Sequence, residues 1–505
     1  MIDMSEEILL GTDIGTLGTK TIACTVGGNV LGEDYIGYDI VTPKPGWAEF
    51  PMKLPMKAVC DTIKNVIKKT SIDTADIRGI CISGLYGGSG VPVDDDLDEI
   101  RPCIPWLDTR AIKECDWARE NIGEDHLAEI TGNCIHPYWG WTKMLWIKNN
   151  EPDKWSKIKY FLTPNGYAIQ RLTGEISLDY SSAGNYGGIW DIHKNHYSYE
   201  LLKEMDINPS LFPPDIVKSC KVVGEIDAKG SLMTGLKKGT PVSAGGIDAP
   251  VEALSVGTFE KGEHTACIGT SMCHNIVQDR ADMKLSPLLI NYPYVADDKN
   301  KIYTFGGAAT AAGIITWFKN NFAQGKSYAE LDDLAEKVPA GSDGLIVLPY
   351  FNGERTPIWD PYARGTVIGL SLFHTTGHVF RAFLEGVAYS LRHNLETAKK
   401  IGATLNEEMT LIGGGAKSEL WRQIFADITG YKIRYVSKSY GAPLGDVLLA
   451  GVGNGLFGYD EIKKWLEISE VREPNQEKTK KYKNIFDLYK KTYLDNKDTF
   501  KHLFK

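Results

Sequence analysis

The chain has no Cys-x-x-Cys pair, although it contains nine cysteines. Their scatter and odd number argue against a disulfide framework or a zinc site, and for free thiols in a reducing cytoplasm. No window of about 18 uninterrupted apolar residues occurs, so a membrane-spanning helix is not expected. The stretch Met1 to Leu10 carries acids before a short apolar run and lacks the basic start of a secretory signal. Charge of one sign is scarce too: the formal net charge is -9 at pH 7, spread along the sequence. A mildly acidic surface repels phosphate backbones, which sets nucleic acid aside as a partner. A Walker A sequence, G-x-x-x-x-G-K-[ST], is also absent, so a nucleotide would need a different cradle. Low-complexity linkers are missing as well. With 505 residues the chain exceeds one core, so its boundary between lobes must fall in ordered sequence.

What is present begins with Ile8 to Val26. Apolar, β-favouring residues run into a turn at Gly15-Thr16-Leu17-Gly18, and a second such run leaves it. This predicts a hairpin. A Rossmann dinucleotide site would need its glycines to open a helix, and the β-branched residues after Lys20 exclude that. The pattern recurs from Thr265 to Val277 around Gly269-Thr270-Ser271, about half the chain later. Such a repeat suggests two related lobes, each opening with a hairpin. Strands alternate with helices elsewhere. Ile77 to Ile82 predicts a strand. His378 to Lys400 predicts a helix ended by Gly402. Met409 to Ile412 predicts a strand, Gly413 to Gly415 a loop, and Ser418 to Thr429 a helix closed by Gly430. The class is α/β. The Lys-rich terminal segment carries Tyr482, Ile485, Phe486, Tyr489 and Tyr493 at helical spacing, which predicts a helix docked through its aromatics.

Three segments bear chemistry suited to phosphoryl transfer. Exposed turn amides and hydroxyls can bind phosphate oxygens, and both Gly-Thr turns offer them. Asp13 stands where a carboxylate can hold hydrated magnesium, and Lys20 supplies a point charge for a phosphate. A turn-capping Asp13 and a solvated Lys20 are the structural alternatives. In Val242-Ser-Ala-Gly-Gly-Ile-Asp248-Ala-Pro250 an apolar strand ends in two glycines, where backbones approach closely, and a carboxylate follows.

These segments, in this order, resemble the FGGY carbohydrate kinase family. The similarity runs from about Leu9 to Phe457. It rests on Gly11 to Thr16, Pro45 to Glu49, Pro105 to Arg110, Thr142 to Trp146, Gly246 to Ala249 and Ile268 to Ser271. Gly365 to Leu370, with His378, Ala382 and Glu385, and Leu411 to Trp421 extend it. The resemblance, closest to xylulokinases, implies two actin-like, ribonuclease-H-like lobes around a central cleft. It assigns residues 1–250 to an N-terminal sugar-binding lobe and 251–505 to a C-terminal ATP-binding lobe. It implies ATP and Mg2+ as cofactors, and a small sugar as substrate, with the chain acting alone or as a homodimer.

By the family pattern Asp248 is the catalytic base, and Asp13 the carboxylate near the metal. Thr16 and Lys20 belong to the first phosphate loop, Gly269 and Thr270 to the second. Gly414, Gly415 and Ser418 receive the adenosine end, with Gly313 close to the nucleotide. Trp106 and Tyr138 fall at substrate-contacting aromatic positions, although Tyr138 reads equally well as core. The chain departs from the family in the substrate-choosing loop Ser83 to Gly90, which holds Tyr86. There it has neither the Arg-Glu pair of glycerol kinases nor the Met-His pair of xylulokinases. Gly140 also stands where Pro, Ser or Thr is usual. A ketopentose such as D-xylulose is the expected substrate. Ribulose, erythritol, a deoxyketohexose and gluconate are the alternatives. A nucleotide-switched binding protein of actin-like fold is the alternative from another class, and a kinase-derived sensor without turnover is a third. The binding protein does not need the Gly-Gly-Ile-Asp segment or the Gly365 to Glu385 signature, and the presence of Asp13, Lys20 and Asp248 speaks against the sensor.

Overall fold

The computed structural model describes residues 7–503. The start of the acidic Met1 to Leu10 stretch therefore lies outside the described residues. Two mixed sheets organise the chain. The first contains β1 (Ile8–Gly15), β2 (Gly18–Thr25), β3 (Val30–Gly37), β4 (Ile77–Gly84), β5 (Val222–Glu225) and β6 (Pro241–Ser243), in the order β5-β6-β4-β1-β2-β3. The second contains β7 (His264–Ile268), β8 (Met272–Asp279), β9 (Ile290–Pro293), β10 (Lys301–Ala308), β11 (Glu408–Ile412), β12 (Lys432–Val436) and β13 (Ile468–Arg472). Its order is β9-β10-β8-β7-β11-β12-β13.

The repeat expected from the hairpins is thus a repeat of topology. In each sheet the hairpin is antiparallel and a third strand extends it on the same side: β1-β2-β3 in one, β7-β8-β10 in the other. On the far side two strands add in parallel, β4 then β6 against β1, and β11 then β12 against β7. Parallel neighbours need crossover connections, which is why helices separate them in sequence and cover the sheets. Leu9, Leu10, Ile22 and Ala23 are fully buried, as are Ala266, Ile268, Met409 and Leu411, so both hairpins are embedded in core.

The helix Ala442–Gly453 comes late in the chain yet lies against β1 and β4 of the first sheet and against the helix Asp248–Ser255. Close approach is built into Gly11, where an added Cβ would stand 1.9 Å from the Pro443 carbonyl oxygen. The contact is also polar. Fully buried Asp446 accepts a hydrogen bond from Ser83 Oγ at 2.7 Å, and the Cys81 thiol donates to it at 3.4 Å. Through Ser83, the Ala442–Gly453 helix reaches the strand that pairs with Asp13.

The predicted helix at His378 spans Thr376–Lys400, and the Ser418 helix spans Glu419–Thr429 with Gly430 left-handed at its end. The terminal helix Gln476–His502 docks through buried Tyr482, Phe486 and Tyr489. Its anchor is Glu385, 1% exposed, which accepts from Tyr482 Oη at 2.6 Å and pairs with Arg381 at 2.8 Å. Glu385, one of the residues carrying the family resemblance, therefore serves the scaffold. None of the nine cysteines is disulfide-bonded, and no helix among the described residues is long and apolar enough to cross a membrane.

Candidate active site

Between the two hairpin turns lies a cavity of about 310 Å³. Asp13, Thr16, Lys20, Tyr86, Trp106, Tyr138 and Asp248 all line it, so seven residues singled out from separate stretches of sequence share one wall system. Sequence reasoning missed Asn185, Glu252, Cys273, Arg355 and the turn Tyr440 to Pro443, which line it too.

Asp248 does not end a strand. β6 stops at Ser243, Gly245 turns with a left-handed φ of 68°, and Asp248 opens the helix Asp248–Ser255. Pro250 is tolerated there because the first helical turn has no intrahelical use for its missing N–H. The Asp248 Oδ1 accepts from the Ala249 amide at 2.7 Å, its one hydrogen bond among the described residues. Burial, and then the charge of Asp13, push its pKa well above the usual carboxylate range. Glu252 lies one helical turn further on, so its carboxylate faces the same cavity, and burial raises its pKa as well. A helix starting at Asp248 would have revealed it through the i, i+4 spacing.

Asp13 sits in β1 opposite Lys20. Burial and the Glu252 charge raise it to about 7. Among the described residues its carboxylate accepts one hydrogen bond, from Ser83 Oγ at 3.4 Å, a long contact. Lys20 is turned to Glu33, with Nζ 2.8 Å from the carboxylate, and also lies 5.8 Å from the Tyr440 ring centroid. The three half-buried carboxylates Asp13, Asp248 and Glu252 therefore face one another with little cationic compensation. Oxygen donors of this kind suit a hard divalent cation such as Mg2+. Burial raises the pKa of each, and the neighbouring carboxylate charge adds to it at Asp13 and Asp248.

The aromatic wall follows from the loop after β4. Tyr86 and Tyr138 have ring centroids 5.1 Å apart. Tyr86 Oη accepts from the Gly140 amide at 2.5 Å. A Cβ on Gly140 would stand 2.1 Å from the Gly88 carbonyl oxygen, and one on Gly88 would stand 2.1 Å from that of Ile104. The two departures from the family pattern, the Tyr86-Gly87-Gly88 loop and Gly140, are thus one packing arrangement. Trp106 Nε1 donates to Thr16 Oγ1 at 3.3 Å, joining the aromatic wall to the first turn. Behind it, Arg110 lies 4.0 Å from the Trp47 ring centroid and bonds Asp108 at 2.9 Å, while Lys143 Nζ holds the Tyr138 carbonyl at 2.8 Å. These motif residues are supports.

The remaining predicted residues lie outside this cavity and gather at the end of β7. The Thr270 carbonyl accepts from the Ala311 amide at 2.8 Å and the Gly313 amide at 3.1 Å, and the Gly269 carbonyl accepts from Ala312 at 2.9 Å. A Cβ on Gly313 would approach Thr270 O to 2.9 Å. Gly415 packs on Ile268, whereas a Cβ on Gly414 would meet nothing within 4 Å, so open space faces that glycine. Ser418 is committed locally: its Oγ accepts from the Trp421 amide at 3.1 Å and donates to Asp332 at 2.7 Å.

Two hairpin-led lobes of one topology, with a half-buried carboxylate cluster between their turns, define a two-lobed α/β sugar kinase of actin-like fold. Comparison with known proteins fixes the family. The model of the FGGY carbohydrate kinase N-terminal domain matches residues 8–255, and that of the C-terminal domain matches residues 265–453. The chain belongs to the FGGY family of carbohydrate kinases. It is 32% identical over 495 residues to a xylulose kinase of Bacillus subtilis, with 97% of each chain covered. Among solved structures it is similar to a ligand-bound xylulose kinase from Lactobacillus acidophilus, with a TM-score of 0.92 at 26% identity, covering 98% of this chain and 100% of that one. A gluconate kinase from the same organism is equally similar, with a TM-score of 0.92 at 26% identity, covering 99% and 100%.

Proposed function

We propose that the protein transfers the γ-phosphoryl group of ATP to a hydroxyl of a ketopentose such as D-xylulose. The observation that carries this reading is the convergence of Asp248 with Trp106, Tyr138 and Tyr86 on one side of the cavity and Thr16 and Lys20 on the other. Aromatic faces suit the carbon side of a sugar, leaving its hydroxyls for polar partners. The likeness to a xylulose kinase points to the ketopentose.

In this reading residues 1–250 form the sugar-binding lobe and 251–505 the ATP-binding lobe, with the helix Ala442–Gly453 packed back on the first sheet. Asp248 takes the proton of the attacking hydroxyl, and its raised pKa strengthens it as an acceptor. Asp13, with Glu252 beside it, would hold Mg2+, which when bound neutralises phosphate charge. Lys20 leaves Glu33 for a phosphate oxygen, and Thr16 offers its hydroxyl from the first turn. Gly269, Thr270 and Gly313 shape the second phosphate loop; Gly414 and Gly415 border the open space for the adenosine end, with Ser418 as the following helix cap. The test is ADP release across ketopentoses, glycerol, a tetritol, deoxyketohexoses and aldonates. A ketopentose is expected to give the highest kcat/KM. Another class winning by roughly tenfold would overturn the substrate assignment.

A further inference from the structure

Two polar side chains in the cavity lack what buried polar groups normally have. Asn185 is 1% exposed; its amide lies beside the Tyr138 hydroxyl, and no other described group completes the hydrogen bonding of its nitrogen and oxygen. Such a group costs roughly 1–3 kcal/mol if left unsatisfied, so natural proteins rarely keep one without a use. Its position is fixed. It ends the helix Tyr180–Asn185, which Asp179 caps by accepting from Ser182 N at 2.9 Å. Ser181 of that helix accepts from the Ile247 amide at 3.2 Å, tying it to the residue before Asp248.

The second group is Arg355. Its guanidinium lies 5.5 Å from the Trp106 ring centroid and 5.7 Å from that of Phe305. One amino group donates to the Ala308 carbonyl at 3.2 Å, but Nε is buried without a partner, and no carboxylate pairs with the guanidinium among the described residues. Its backbone is pinned on both sides. Glu354 accepts from the Ala309 amide at 2.7 Å, and Thr356 accepts from the Gly307 amide at 2.6 Å. Tyr138 stands between the two groups: its hydroxyl has the Asn185 amide beside it and feels the Arg355 charge.

We propose that Asn185 and Arg355 form a polar clamp that reads the carbonyl end of the sugar, whose other hydroxyl lies at Asp248. This rests on the kinase reading above. The planar fork of an arginine suits two adjacent oxygens, here a ketone oxygen and its neighbouring hydroxyl, and the asparagine amide both donates to and accepts from a further hydroxyl. A carboxylate end would also fit the fork. The neutral pair is favoured because Asp13, Asp248 and Glu252 already crowd the cavity with negative charge. Both clamp residues act in binding, so their loss should appear in KM and leave kcat largely intact.

The test compares wild type, Asn185→Leu and Arg355→Lys with a ketopentose, the corresponding pentitol and an aldonate. Sugar affinity is read independently of turnover by quenching of tryptophan fluorescence without nucleotide. Each variant should raise the ketopentose KM and Kd by roughly 10–100-fold, with kcat within about threefold and the pentitol nearly unaffected. Asn185→Leu removes a buried amide whose hydrogen bonding is incomplete, so its melting temperature should stay close to that of wild type. A lower melting temperature with unchanged KM would make Asn185 structural and overturn the clamp. So would equal losses for ketopentose and pentitol, or an aldonate suffering most from Arg355→Lys. If wild type turns over no ketopentose, the substrate reading fails by itself. The clamp is then judged on the best substrate found, and unchanged KM for that sugar in both variants overturns it too.

Discussion

The two walls of the cleft are built by opposite means. The wall proposed for the sugar is made of side chains: Trp106, Tyr138, Tyr86, Asn185 and, from the other half of the chain, Arg355. The wall proposed for the nucleotide, at β7, is made of backbone, where Gly269, Thr270, Gly313 and the Gly413 to Gly415 loop bring main chains together. Side chains can be exchanged one at a time without moving the frame, so a wall of this kind can change its ligand while the fold stays. Glycine-lined backbone tolerates less where main chains touch, since a Cβ on Gly313 would stand 2.9 Å from the Thr270 carbonyl oxygen and one on Gly413 2.7 Å from that of Ile268. Both departures from the family pattern named above, the Ser83 to Gly90 loop and Gly140, lie on the side-chain wall.

Asp248, the proposed base, lies between the two walls, and removing its charge tests the comparison most severely. Asp248→Asn should lower kcat by roughly 10²–10⁴ while sugar and ATP affinities stay within a few-fold, because a lost base affects the transition state alone. A variant keeping more than about a tenth of wild-type turnover would remove Asp248 from the role of base.

How much of this was legible in the sequence follows the same division. Gly-Thr turns and Gly-Gly-Gly loops are local, so β1-β2, β7-β8 and the loop after β11 could be read directly, along with Asp13, Thr16, Gly269 and Gly414. Asn185 and Arg355 could not. Asn185 belongs to the six-residue helix Tyr180–Asn185 with no periodicity to speak of, and Arg355 enters the cavity only because β10 and Trp106 are brought together in space. Glu252 escaped because Gly-Gly-Ile-Asp reads as the end of a strand, whereas Asp248 begins a helix. Glu385 shows the reverse case, a family-matching residue whose contacts with Arg381, Ser342 and Tyr482 are structural.

Next in size come two glycine substitutions, one on each wall. Gly140→Ala places a methyl 2.1 Å from the Gly88 carbonyl and disturbs the amide that Tyr86 accepts from. Forced separation of two backbones should cost about 1–3 kcal/mol of stability and raise sugar KM, with ATP KM unchanged. Gly313→Ala, with its methyl 2.9 Å from Thr270 O, should do the opposite, raising ATP KM by roughly tenfold at constant sugar KM. If both variants move both constants equally, the walls are not separable.

A smaller effect concerns the acids between the walls. Asp13 is raised to about 7 by burial and by Glu252. A carboxyl with a raised folded-state pKa contributes stability at low pH that is lost as pH rises through the folded value. The metal-free protein should therefore lose stability between about pH 4 and about pH 7, and Mg2+ should restore more of it above that range than below. Thermal melts at a series of pH values, with and without Mg2+, check this. An increment independent of pH would dissociate Asp13 from the metal.

The smallest effect is at Ser418, which the family pattern places at the adenosine end although its hydroxyl is already spoken for. It caps the helix Glu419–Thr429 by accepting from Trp421 N, and it donates to Asp332. A hydroxyl in both roles has one acceptor lone pair left and no proton to give. Ser418→Ala should thus cost about 1 kcal/mol of stability, as a lost N-cap does, and leave ATP KM within about twofold. Ser418→Gly separates the two roles further, because glycine caps almost as well as serine but offers no hydroxyl. If Ser418→Gly keeps its melting temperature yet raises ATP KM several-fold, the hydroxyl serves the nucleotide. The backbone-only description of that wall would then need a side chain added to it.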